Sequence, residues 1–132
     1  MLREDSCLDH PHRGPELVAF SKEISLSFPH SPSPFLLREK IKAFLMNLTN
    51  TLREDGCQLI GHIKVLVKSG TDGYYFMSTT SFDQIPECKG EIEKGISNLS
   101  LTIHVIVYGL SEDRLNFLVS RKIEKIGKFL EA

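Results

Sequence analysis

The chain reads as an α+β protein, a two-layer sandwich in which an approximately four-stranded sheet carries two helices on one face, in the order β-α-β-β-β-α. Three observations carry that reading. Two stretches place apolar residues at steps of three and four, several others alternate apolar and polar residues with a period of two, and every predicted element offers one apolar face. Packing both helices on the same side of the sheet satisfies all of those faces at once and leaves the other sheet face partly open. At 132 residues and 41% hydrophobic composition, the chain suits a single domain that buries about two thirds of its unfolded surface. We assign residues 1–15 to an N-terminal arm and 16–132 to that domain.

Residues 1–15 are polar, carry Pro11, Gly14 and Pro15, and show neither period. Strand one spans about 17 to 28, where Ile24, Leu26 and Phe28 alternate with Glu23, Ser25 and Ser27; its first half also fits a helical turn, because Leu17, Val18 and Phe20 do not alternate cleanly. Pro29 to Pro34 breaks the chain, and Ser33 before Pro34 is a favourable N-cap and first helical position. The helix that follows has Leu37, Ile41, Phe44, Leu45, Leu48 and Leu52 on one face and Arg38, Glu39, Lys42 and Asn50 opposite, and ends at Gly56.

Strand two covers about 57 to 68, with Leu59, Gly61, Ile63, Val65 and Val67 assigned to the apolar face and Gln58, His62, Lys64 and Lys68 to the polar one. Ile60 and Leu66 break the second set. Ser69 to Gly73 has tight-turn composition and leads into Tyr74 to Ser81, which predicts an antiparallel hairpin. Between Phe82 and Asn98 the expected structure is a loop with a short helical turn at Glu91 to Lys94, weakened by Gly90 and Gly95. A fourth strand at about 99 to 108 sets Leu99, Leu101, Ile103, Val105 and Val107 against Ser100, Thr102, His104, Ile106 and Tyr108, a pattern suited to a central strand. Ser111 then caps a last helix striped by Leu115, Leu118, Val119, Ile123, Ile126 and Leu130.

With 16 Lys and Arg against 17 Asp and Glu, the net charge is -1. That gives no broad electrostatic footprint for wrapping nucleic acid or an anionic membrane, while leaving room for a local basic stripe. No run approaches the length of a membrane span and the first residues lack the apolar core of a signal peptide, so a cytoplasmic location is expected. Cys7, Cys57 and Cys88 are odd in number and far apart, which argues against a disulfide framework and matches reduced thiols.

The polar side of the sheet is expected to carry His62, Lys64, Thr102, His104 and Tyr108. Two imidazoles beside a lysine suit an anion, or a metal if a carboxylate or thiol joins them; a half-exposed strand also needs polar residues on its wet face, which accounts for the same side chains without a ligand. In the arm, Cys7, Asp9, His10 and His12 crowd ligand types into six residues. Pro11 and polar neighbours give them no fixed backbone. No cofactor is predicted; zinc or cobalt are the metals these donors would suit. Cys57 and Cys88 have no neighbouring histidine that would mark an activated nucleophile, and Glu54-Asp55 and Glu112-Asp113 sit where helix ends use them. The sequence contains no phosphate-loop, dinucleotide, nucleophile-elbow or zinc-protease signature, so a non-enzymatic role is expected. Phe35, Leu36, Met46, Phe117 and Phe129 extend the apolar surface of the helices and suit a partner; a homo-oligomer is compatible with this.

Residues 16 to 130 resemble the C-terminal domain of the cobalamin-synthesis (CobW-type) GTPases, within the metallochaperone-related group of P-loop GTPases. The strings that carry the resemblance are Gln58-Leu59-Ile60-Gly61-His62-Ile63-Lys64, then Ser78-Thr79-Thr80, Leu101-Thr102-Ile103-His104-Val105-Ile106-Val107, and Leu110-Ser111-Glu112-Asp113-Arg114-Leu115. The resemblance implies an accessory module that contacts a protein partner, a P-loop GTPase subunit being the expected one, in metal or cobalamin metabolism. His62 and Lys64, with His104 and Tyr108, are the residues expected to bind. The family's phosphate-binding loop and Cys-rich metal motif have no counterpart in this sequence, so GTP hydrolysis is not implied.

Overall fold

The computed structural model describes residues 17–70, 73–93 and 97–131. In chain order the elements are β1 (Leu17–Ser27), α1 (Pro34–Glu54), β2 (Leu59–Lys68), β3 (Gly73–Thr79), β4 (Glu87–Ile92), β5 (Asn98–Tyr108) and α2 (Glu112–Glu131). The strands form one antiparallel sheet in the order β1-β5-β2-β3-β4. The arm assigned to residues 1–15 lies outside the described residues, as do the side chains of Phe129 and Leu130.

Both helices cover the same sheet face. Val67 pairs with Tyr75 and Leu101, and Leu101 pairs with Ile24, so these four side chains point the same way. The Tyr75 hydroxyl donates to the Pro34 carbonyl at the start of α1 (3.1 Å), and Leu26, two residues beyond Ile24, meets Gly127 of α2. Under the helices lie Leu99, Leu101, Ile103, Val105 and Val107 of β5, all buried; burying a side chain of this size contributes about 1.5–3 kcal/mol. The α1 stripe Leu37, Ile41, Phe44, Leu45, Leu48 and Leu52 is buried without exception. At its start the Leu36 N–H donates to Ser33 Oγ (3.0 Å), the cap that the Ser-Pro pair predicts. At α2 the Arg114 N–H donates in the same way to Ser111 Oγ (3.1 Å).

Two expectations are corrected. The sheet has five strands, because the segment expected to be a loop with a helical turn contains β4. There Glu87, Lys89 and Glu91 alternate with Cys88, Gly90 and Ile92, and Ile92 is buried. Gly90 breaks a helix but suits this strand: its φ is 93° and a Cβ would overlap the Tyr74 carbonyl oxygen, so glycine lets β4 close on β3.

The phase of β2 is the second correction. Leu59 is 56% exposed and Ile60 is buried, the reverse of the simple alternation. The pairing steps from Ile60↔Val107 to His62↔Ile106, leaving Gly61 as the extra residue of a β-bulge. A Cβ on Gly61 would stand 3.0 Å from the Ile106 carbonyl oxygen, closer than side chains normally pack. The strand expected at about 17 to 28 is present over its first half as well, since β1 pairs with β5 from Leu17↔Tyr108 to Ser27↔Asn98, and the helical-turn alternative falls away.

Candidate functional site

The face of the sheet turned away from the helices holds the four residues singled out in the sequence. Pairing sets them in successive rows. Lys64 on β2 stands directly opposite His104 on β5, and His104 stands opposite Ser21 on β1. On the other side Lys64 faces Ser78 on β3, which faces Glu87 on β4. One polar row, Ser21-His104-Lys64-Ser78-Glu87, therefore crosses all five strands. Its β1 end is tied by a 3.0 Å hydrogen bond between Ser21 Oγ and His104 Nδ1. In the next row His62 pairs with Ile106, and beyond it Leu59 pairs with Tyr108. His62, Lys64 and His104 are thus neighbours on one surface, whereas Tyr108 lies a further row along, past the half-buried Ile106.

The bulge decides part of this arrangement. Because Gly61 absorbs one residue, Ile60 reaches the core while His62 stays in phase with Lys64 on the open side. Beyond the polar row, the Leu66-Phe76 pair brings an apolar strip to the same face, followed by Lys68 and Tyr74. Leu17, Leu59 and Tyr74 are all exposed. A shallow depression of about 640 Å³ lies between β1, β5 and β2, lined among others by Glu23, Leu66, Lys68, Ser100 and Thr102; within it the Ser100 hydroxyl donates to Glu23 Oε2 at 3.0 Å.

Chemically, the row offers the His104 imidazole, the Lys64 ammonium and, at its β4 end, the Glu87 carboxylate, with the His62 imidazole in the row beside it. Among the described residues no three His, Cys, Asp or Glu side chains converge on a point where a metal ion would sit. Lys64 directly opposite His104 also brings a positive charge to the position where a cation would approach, so the row suits an anionic group better than a metal. The arm residues Cys7, His10 and His12 lie outside the described residues.

Cys57 follows the structural reading. Cys57 is buried, and its Sγ donates to the carbonyls of Tyr108 (3.4 Å) and Leu59 (3.6 Å). Burial pushes this thiol above its ordinary value, against the opposing effect of the two carbonyl contacts, which is the reverse of what activates a nucleophile. The Glu54-Asp55 pair likewise belongs to the architecture: Asp55 receives both Arg114 Nε (2.7 Å) and Nη2 (2.6 Å), fastening the end of α1 to the start of α2. Of the apolar residues flanking the helices, Phe35, Leu36, Met46 and Phe117 are exposed. Phe117 is not bare, since the guanidinium groups of Arg114 and Arg121 lie 5.2 and 5.5 Å from its ring centre.

A second feature was not found from the sequence. Between α1 and α2, on the outside of the helix layer, runs a groove of about 440 Å³ lined by Lys40, Ala43, Phe44, Asn47, Lys122, Lys125 and Ile126. The signal available was that Lys40 and Asn47 flank one apolar stripe and Lys122 and Lys125 the other. Nothing local says that the two flanks meet.

No protein-family model matches the chain, and no curated protein matches it. Among solved structures it is similar to Zn(II)-bound YjiA GTPase from E. coli, with 10% identity over 77% of this chain and 29% of that one at a TM-score of 0.38. It is similar also to a Zn(II)-bound triple mutant of YjiA GTPase, with 10% identity over 86% of this chain and 30% of that one at a TM-score of 0.40. The chain spans about 30% of the length of these structures.

Proposed function

We propose that this chain is a non-enzymatic interaction module that receives a protein partner on the open face of its sheet. The observation that carries the reading is a sheet face that none of the described elements covers. It combines exposed Leu17, Leu59 and Tyr74 with the central Lys64-His104 row, the mixture of apolar anchors and polar groups that recognition surfaces use. A separate P-loop GTPase is the partner we propose, on the strength of the sequence strings around His62 and Lys64 and of Leu101 to Val107. In this reading His62 and Lys64 make the central contacts, with His104 and Tyr108 beside them.

The test is cross-linking from a photoreactive residue at position 64, with one at exposed Asn116 on α2 as the control. The reading requires a nucleotide-binding GTPase to be captured from position 64 and not from 116. It also requires Lys64→Glu and His62→Ala to weaken binding of the purified partner about tenfold, about 1.4 kcal/mol, with the melting temperature held. Equal capture from both positions, or unchanged affinity in Lys64→Glu, overturns it.

A second reading is favoured by Lys64 standing opposite His104: the same row binds a small anion and the chain is a ligand-binding protein. It predicts that phosphate or sulfate raises the melting temperature of the wild type and not of Lys64→Glu.

A further inference from the structure

The groove between α1 and α2 lies on the far side of the molecule from the open sheet face. Its floor is apolar. Phe44 and Ile126 belong to the core, and Ala43, between Lys40 and Asn47 on α1, is small enough to leave the floor accessible. Its rim is basic: Lys40 stands on the α1 side and Lys122 and Lys125, one turn apart, on the α2 side.

Two further facts single out Lys122. Its Nζ donates to Asn47 Oδ1 at 2.5 Å, so an ammonium is held across the groove by a neutral amide. The same lysine is held below its ordinary pKa first by burial, then by the like charges of Lys125 and Arg121, with Glu54 opposing them. Gathering ammonium groups around a half-buried apolar floor costs free energy, and a dianion offsets that cost.

We propose that this groove binds a small organic phosphate monoester. The phosphate lies between Lys122 and Lys125, the apolar body rests on Ala43, Phe44 and Ile126, and Asn47, whose Oδ1 already accepts from Lys122, offers its amide Nδ2 as a directional donor. A phosphate suits the site better than a carboxylate because two adjacent lysines are matched by two negative charges. A soluble ligand, rather than a membrane surface, is the occupant proposed because the lysines border one groove of about 440 Å³ with an apolar floor. The volume falls within the range of small-molecule sites.

The experiment is a titration of the intact chain with n-octyl phosphate below its micelle concentration, followed by calorimetry and backbone NMR. Inorganic phosphate, octanol and octyltrimethylammonium serve as controls. Saturable one-to-one binding is expected, with amide shifts concentrated at 40–47 and 122–126. Affinity should fall about tenfold in K122M and in K125M and stay near wild type in K122R, with the melting temperature held. Position 125 is exposed, so K125M decides the matter if K122M fails to fold. Equal binding of octanol, shifts elsewhere on the molecule, or K125M without effect overturns the proposal. So does binding to vesicles of phosphatidylcholine with a minor share of phosphatidylserine in the absence of binding to soluble octyl phosphate.

Discussion

The two faces of β5 come from one alternating run, yet they meet opposite fates. On one side Leu101, Ile103 and Val105 are 0–1% exposed beneath the helices. On the other, Thr102 and Ile106 are half-buried and His104 is exposed. The backbone is the same, and so is the pairing with β1 and β2; the difference is the helix layer. A strand interior to a sheet is shielded along both edges by its neighbours, but each face is buried only if something is laid on it. The covered face therefore accounts for stability, and the open face is where side chains remain available for recognition.

The contrast is broken or sharpened most strongly by truncation on each face. Leu101→Ala should cost about 2–5 kcal/mol in urea unfolding, whereas Leu59→Ala on the open face should change stability by no more than about 0.5 kcal/mol. An equal loss from both would mean that the open face is covered in solution, for example by a second copy. Next in size, Gly90→Ala should cost about 1–3 kcal/mol, since alanine must adopt a left-handed backbone and push against the Tyr74 carbonyl. Hydrogen exchange should locate the loss in β3 and β4, leaving β5 and the Lys64-His104 row protected. Ser33→Ala removes the cap from Leu36 and should cost about 1 kcal/mol, read from the same unfolding curves.

The smallest effect belongs to the Asp55–Arg114 pair at the rim of the helix layer. The hydrogen bonds from Arg114 hold the Asp55 carboxyl below its ordinary value near 3.8. A depressed folded pKa contributes stability above the unfolded value that is lost as pH falls through the folded one. The difference in melting temperature between wild type and Asp55→Asn should therefore be present at neutral pH and shrink below about pH 4.

Both helices were legible because their signals are local: a serine cap before the first turn, apolar residues at steps of three and four, and a glycine after α1. The hairpin of β2 and β3 and the interior position of β5 were legible for the same reason. β4 was missed because Gly90 counts against a helix and a strand alike, and because its charged residues are those an edge strand uses to stay solvated. The phase at the start of β2 was misread because a bulge leaves no local mark beyond one glycine. The open-face residues were legible by parity alone: His62 and Lys64 share a face, as do His104 and Tyr108, and pairing β2 with β5 brings the two sets together.

By itself, then, the sequence determined the fold class, the two helices, the stripe each one buries, and which residues of β5, and of β2 beyond its bulge, face away from them. Those properties follow from interactions between residues a few positions apart, where the periods of helix and strand leave little freedom. Tertiary structure alone decided that β4 joins the sheet, that Ile60 and not Leu59 enters the core, that Lys64 stands opposite His104, and that Lys122 meets Asn47 across the α1–α2 groove. Each of these depends on the register between segments distant in sequence, which is selected by the packing of the whole core and leaves no periodic trace in any one segment.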